Sequence, residues 1–293
     1  MRACPARSGA PCIWRDLGAF VDRSGLVGAV RVEQCAHCGH ARSLPPLADV
    51  AFLYEGRESQ DFQPGAHGLA HAIKRLAFRR EAGRLLRQIG PAPSPLRDSG
   101  TLLDFGCGSG QFTRALGDRL GADRVTGSDF FADPPGELAD RPYCPMERLA
   151  DQAGQFDSVI AMHVLEHDDD VAALLARISA MARPGGTVVI EVPNVACVWA
   201  RIFGKYWDAW YLPYHRTHFS RASLVAAVTA GGLEVRAVHG AVVPTMGRTF
   251  ANLFGRRNTL FWLLLGVALH PLQLLGEKLT GQPSALRVIA RRG

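Results

Sequence analysis

The chain lacks the marks of a secreted or a nucleic-acid-binding protein. Its first 30 residues hold no apolar run of 7, so no secretory leader is expected. Low-complexity tracts and internal repeats are missing too. Excess charge is small: 33 lysines and arginines face 27 acidic residues, and a net +6 does not by itself imply nucleic acid. Seven cysteines without a leader are expected as free thiols, metal ligands or core residues, in a reducing, cytoplasmic setting. What remains is a globular composition, 47% hydrophobic and 20% charged. Its 293 residues suffice for one large domain or two modest ones.

A further absence narrows the chemistry. Residues 101–110 read as a buried strand that opens, after Asp104, into a loop with Gly106, Gly108 and Gly110. Such a loop turns sharply and lies against a ligand, and the amide end of the following helix points to the same place. A dinucleotide fingerprint counted from Gly106 needs a third glycine at 111, where Gln111 stands; counted from Gly108 it needs one at 113, where Thr113 stands. A nicotinamide-dependent oxidoreductase is therefore disfavoured. The pattern present, Asp-x-Gly-x-Gly-x-Gly, resembles motif I of the class I S-adenosylmethionine-dependent methyltransferases.

From about residue 99 strands and helices alternate, which predicts a parallel sheet with crossover helices. Strands are expected at 101–105, 124–128, 156–162 and 187–192, with a weakly marked one at 142–144. Helices are expected at 111–120, 171–181 and 221–230. The run His163-Val-Leu-Glu166-His167 after the fourth strand, the Arg-Pro-Gly-Gly turn at 183–186 and the His-x-x-His-Phe-Ser segment at 215–220 also resemble that family, its ubiquinone and glycan members in particular. The resemblance implies an α/β, Rossmann-like sheet of seven strands, mostly parallel, with the last antiparallel. It implies S-adenosylmethionine as cofactor, held by Asp104, Gly106, Cys107, Gly108 and Gly110, with Met146 and Met162 beside it. Asp129, at the end of the second strand, suits the two hydroxyls of a ribose.

Ligands of such a sheet bind at the carboxyl ends of its strands, which gathers His163, Glu166, His167, His215 and His218 on the acceptor side. A histidine there can take a proton from a hydroxyl, and Glu166, His215 and His218 could also ligate a metal. The resemblance implies O-methylation of a glycan, a lipid-linked sugar or a quinone-like lipid, with a non-catalytic adaptor of the same fold as the alternative.

Two segments flank this core. Residues 1–60 contain a Cys35-x-x-Cys38 knuckle of zinc-ligand type, while Arg7 stands where an upstream pair would place its second thiol. Cys4 and Cys12 are the nearest partners, and the segment resembles the zinc-ribbon-like leaders of some methyltransferases; a structural zinc is the expected metal. Residues 61–98 carry a basic helix, expected at 68–89, and a linker with Pro91, Pro93 and Pro95. Within the remaining domain, 99–293, an insertion at about 244–282 separates the last two strands. Its apolar run is too short to span a bilayer and is interrupted by Pro271. Arg256, Arg257 and Lys278 border it, which suits a segment lying on the inner face of a membrane over residues 256–278. A homodimer interface or an internal lid are the other expectations for it.

Overall fold

The computed structural model describes residues 4, 10–22, 26–54, 69–90, 99–257 and 259–293; Arg7, Pro91, Pro93 and Pro95 lie outside them. An antiparallel sheet comes first, built from β1 (Trp14–Val21), β2 (Ala29–Cys35) and β3 (Ala41–Leu44). The central sheet follows, with β4 (Leu102–Phe105), β5 (Val125–Ser128), β6 (Phe156–Met162), β7 (Ala182–Pro193), β9 (Leu233–Ala241) and β10 (Ala285–Arg292) in the order β5-β4-β6-β7-β10-β9. The first four are parallel, and β10 runs antiparallel to both its neighbours.

Both faces of this sheet are covered, so its central strands β4, β6 and β7 read as largely hydrophobic runs. On one face α1 (Leu69–Ile89) and α2 (Gln111–Leu120) press Leu85 and Leu116 onto Leu102, Ile160 and Val189. On the other, α3 (Val171–Met181) and α5 (Arg221–Ala230) press Ile178 and Val228 onto Leu103, Val159 and Val188. The basic side of α1 is a solvated face, with Arg84 paired to Glu81 and Arg79 to Asp118.

The sheet has six strands, not the expected seven. At 142–144 there is a single parallel bridge, Gly127 to Tyr143. Gly127 donates to the Pro142 carbonyl and Cys144 donates back to Gly127. Met146 donates in turn to the Asp129 carbonyl, but Pro142, whose backbone faces β5, has no N–H to carry the ladder back toward the start of β5, so the pairing stays too short for a strand.

The insertion also departs from expectation. After α4 (Val198–Phe203) and α6 (Met246–Leu253), the apolar run forms one unbroken helix, α7 (Leu260–Thr280), of 21 residues through Pro271. Pro271 lies on the exposed side, where the ring costs one bond to the preceding turn without ending the helix. By length and composition α7 is sufficient to cross a membrane, the one such helix among the described residues.

Its packing runs against the usual rule for a helix on a globular protein. The side turned to the protein is small and polar: Gly266 meets Gly247, Gly276 meets Trp199, and Gln273 and Glu277 are buried. Gln273 donates to the Val243 carbonyl, while Glu277 accepts from the Trp199 indole and from the Ser284 N–H. The outward side carries Leu260, Leu264, Val267, Leu272, Leu275 and Leu279, each 44% exposed or more.

Candidate active site

The glycine loop sits where β4 ends. Gly106 and Cys107 both donate to the Ser128 carbonyl on β5, which holds the loop against its neighbour. All three glycines have positive φ, 77°, 53° and 77°. A Cβ at 106 would meet Val164 Cγ2 at 2.5 Å and one at 110 would meet Leu138 Cγ at 2.5 Å, whereas at 108 nothing lies within 4 Å. The outer glycines are packed from behind, and Gly108 alone presents bare backbone to open space.

Two carboxylates organise this loop. Asp129 caps it, accepting from Gly108 N–H at 2.6 Å and from Phe130 N–H at 2.8 Å. Asp104 is buried and accepts from Thr113 Oγ1 at 2.6 Å. Burial, with Asp129 nearby, pushes the Asp104 carboxyl up to about 7 against the opposing effect of Thr113. The residues flanking the loop are placed less directly. Cys107 is buried, its sulfur packed toward Gly127, and its thiol is pushed up by burial. Met146 and Met162 are half-buried, each packed against one of the two cores.

The acceptor-side histidines divide by environment. His163, at positive φ of 58°, bonds Glu166 through Nδ1 at 3.2 Å and Glu191 through Nε2 at 3.1 Å. Burial opposes its charge, but the two carboxylates win and raise it to about 10. It therefore keeps its proton at neutral pH and leaves the set of candidate bases. His218 leaves it too: it is buried, bonded to Ser43 Oγ at 3.1 Å, and burial lowers it to about 3. Burial also lowers His167 and, further, His215, so both are neutral at pH 7. His167 Nδ1 bonds Tyr54 Oη at 2.7 Å, and the two imidazoles meet edge to face at 4.7 Å. His215 Nδ1 lies 2.9 Å from the Ala209 carbonyl, which assigns the proton to Nδ1 and the lone pair to Nε2. That lone pair faces Glu166 Oε1 at 3.9 Å, and Glu166 Oε2 is buried without a partner. Glu166, His167 and His215 have ligand atoms within 4.8 Å of one another; His218 is not of that group.

One feature was not anticipated from sequence. Glu191, behind His163, is held by Arg287, which donates Nε at 2.7 Å and is itself braced by Gln88 and Glu81 of α1. An arginine amid the apolar residues of the last strand was the available signal. Beside His215, an aromatic cleft of about 260 Å³ is lined by Trp207, Trp210, Tyr211 and Tyr214, with Lys205 and Arg248. Tyr211 stacks on Tyr214 and meets the His215 ring edge-on at 5.3 Å. Away from these, Cys4, Cys12, Cys35 and Cys38 bring their four sulfurs together.

A doubly wound sheet of this order, with an acid-capped glycine loop at its carboxyl edge, defines an S-adenosylmethionine-dependent methyltransferase. A family model described as a methyltransferase domain matches residues 69–238, more than half of the chain, and the chain belongs to that family. It is similar to the ubiquinone biosynthesis O-methyltransferase of Azorhizobium caulinodans, 33% identical over 192 residues, covering 59% of this chain and 74% of that protein. The protein of the same name from Methylobacterium sp. (strain 4-46) is 33% identical over 193 residues, covering 59% and 76%. Among solved structures, magnesium protoporphyrin IX methyltransferase from Synechocystis PCC 6803, with bound S-adenosylhomocysteine, shares the fold at TM-score 0.53 and 16% identity, covering 84% of this chain and all of that one. Burkholderia thailandensis 1,6-didemethyltoxoflavin-N1-methyltransferase does so at 0.51 and 19%, covering 88% and 96%.

Proposed function

We propose that this chain methylates a hydroxyl on an acceptor carried by a membrane lipid, such as a lipid-linked sugar or a quinone-like lipid, at the inner face of the membrane. The observation that carries the lipid assignment is the reversed polarity of α7. A helix that buries glutamine and glutamate and exposes six large aliphatic residues is stabilised only if its outer side meets an apolar medium. Arg256, Arg257 and Lys278 are exposed around that face, and its one acidic residue, Glu277, is turned inward, as an anionic lipid surface requires. β9 ends level with the carboxyl end of β7, so the insertion leaves the sheet on the cofactor side. Likeness to ubiquinone biosynthesis O-methyltransferases supports the same reading.

The placement of the residues supports the following roles. Asp129 accepts the ribose hydroxyls with the lone pairs its two N–H partners leave, Gly108 admits the cofactor against bare backbone, and Asp104 lies below its amino-acid end. The cofactor supplies a sulfonium-bound, electrophilic methyl group. The cleft beside Tyr211 holds the acceptor ring, and Glu166 Oε2 orients the hydroxyl. His215 Nε2 takes its proton, with Nδ1–H fixed by the Ala209 carbonyl.

His215→Ala is expected to lower kcat by about 10²–10⁴ and leave cofactor affinity unchanged. Because the folded pKa of His215 is depressed below 6.5, the wild-type rate stays level as pH falls to 6.5 and declines only below it. The assay is release of S-adenosylhomocysteine with a hydroxylated acceptor presented in vesicles, with and without added magnesium. A magnesium-dependent rate that survives His215→Ala gives activation of the hydroxyl to a cation on Glu166 and His167 instead. No turnover with any acceptor overturns the enzymatic reading in favour of an adaptor.

A further inference from the structure

The sulfurs of Cys4, Cys12, Cys35 and Cys38 all lie within 4.8 Å of one another, with Cys4 to Cys35 at 3.7 Å and Cys12 to Cys38 at 3.9 Å. Neither separation is that of a disulfide, whose sulfurs stand about 2.05 Å apart. Both match the edge of a tetrahedron, because metal–sulfur bonds of about 2.3 Å put neighbouring thiolates about 3.8 Å apart. The N–H groups of His37 and Cys38 are directed at the Cys35 sulfur, and Gly39, with φ of 71°, closes the turn. Cys12 thus takes the corner that a thiol at position 7 would have filled.

The cluster is tied to the acceptor side of the active site. The N-terminal sheet is completed by β8 (Thr217–His218), which pairs with β3 through Ala41 to His218 and Arg42 to Thr217. Ser43 N–H donates to the Arg216 carbonyl at 2.8 Å, and Ser43 Oγ donates to the His215 carbonyl at 2.8 Å. Arg216 returns bonds to the carbonyls of Ser43 and Pro45. At the knuckle itself, Ser220, which caps α5, donates its hydroxyl to the Cys38 carbonyl. The His40 ring packs edge-on against Phe219 at 5.7 Å. The central domain holds the other side of the segment: His215 N–H donates to the Tyr211 carbonyl, Arg216 N–H to the Glu166 carbonyl, and the Phe219 carbonyl accepts from Val195 N–H, so residues 215–220 are clamped between the knuckle's sheet and the methyltransferase core.

We propose that the four cysteines bind one zinc ion and that this ion positions residues 215–220, and with them His215, against the acceptor. Four protein ligands leave no open position, so the ion takes no part in the reaction. The catalytic consequence rests on the reading of His215 given above; metal content and backbone protection are measured without any acceptor, so the two ideas fail separately.

Full-length protein grown with zinc is analysed for metal by mass spectrometry. Amide hydrogen exchange is then followed before and after the thiolates are stripped with a mercurial and chelator. The expected content is about one zinc per chain. Stripping is expected to speed exchange at 215–220 about tenfold or more while 102–110 keep their protection. Stripped protein that unfolds globally loses protection at 102–110 as well and contradicts a local role for the metal. Ser43→Ala with Ser220→Ala separates holding the metal from transmitting it. That variant is expected to retain full zinc, exchange faster at 215–220, show a raised KM for acceptor and bind S-adenosylhomocysteine normally. Protein without stoichiometric zinc, or unchanged exchange at 215–220 in both the stripped protein and the variant, overturns the proposal.

Discussion

Arg287→Met is expected to cost the folded protein about 3–5 kcal/mol, the penalty for leaving a buried partner of an ion pair uncompensated. Arg287 is 1% exposed and sits between Glu191 of β7 and Glu81 of α1, with Gln88 on its third edge. Without it Glu191 faces only His163, and Glu166 draws on the same imidazolium. Arg287→Lys keeps the charge but cannot fork to three partners, so an intermediate loss is expected. Glu81→Gln should cost less, because Glu81 is reached by solvent and its screened charge is worth little. Thermal unfolding reads the series: Arg287→Met should lower Tm by about 10 °C. A Tm within experimental error of wild type would show that the chain of charges from α1 to His163 carries no stability.

The second large effect concerns α7. Leu264→Asp combined with Leu275→Asp is expected to lower partitioning onto anionic vesicles by about 100-fold or more, since each leucine inserted into an apolar phase is worth about 2 kcal/mol. Both side chains already face outward, so the folded state in water should keep its Tm and its affinity for S-adenosylhomocysteine. That combination separates a membrane contact from a core element. Co-sedimentation with vesicles containing acidic lipid is the measurement. Wild-type protein that ignores vesicles, or variants that bind them equally, would contradict the membrane reading. Sedimentation of the wild type as a dimer that the same two substitutions dissolve would assign the face to a second copy of the chain.

Much of the catalytic fold was legible because its signals are local. The loop at 101–110 announces its turn by glycines that need positive φ, and all three have it. The strand 156–162 and the helices at 171–181 and 221–230 appear at the expected residues, since an apolar run or a capping serine marks each. The seventh strand is missing for a reason also written in the chain: the proline at 142, whose backbone faces β5, removes a donor that a longer ladder needs. The single helix of the insertion is hidden in the sequence because a proline in an apolar run reads as a breaker, whereas at an exposed position Pro271 costs one bond in a helix of 21 residues. Which histidine can act as a base was not legible at all. His163, His167, His215 and His218 look alike in sequence, and they differ in the partners that folding brings to them: the Glu191 carboxylate to His163, the hydroxyls of Tyr54 and Ser43 to His167 and His218, and the Ala209 carbonyl to His215. The pairing of β3 with β8 lies across more than 170 residues and leaves no local trace.

At the centre of this account is a loop of bare backbone, capped by Asp129, that receives the methyl donor. Calorimetry with S-adenosylhomocysteine tests it most directly, on the wild type and on Asp129→Ala. Wild-type protein should bind one equivalent with a micromolar Kd, Asp129→Ala should weaken that by about 100-fold through the loss of charged hydrogen bonds, and nicotinamide dinucleotide should give no heat. No binding by the wild type at millimolar ligand, or binding of the nicotinamide dinucleotide in its place, would contradict it.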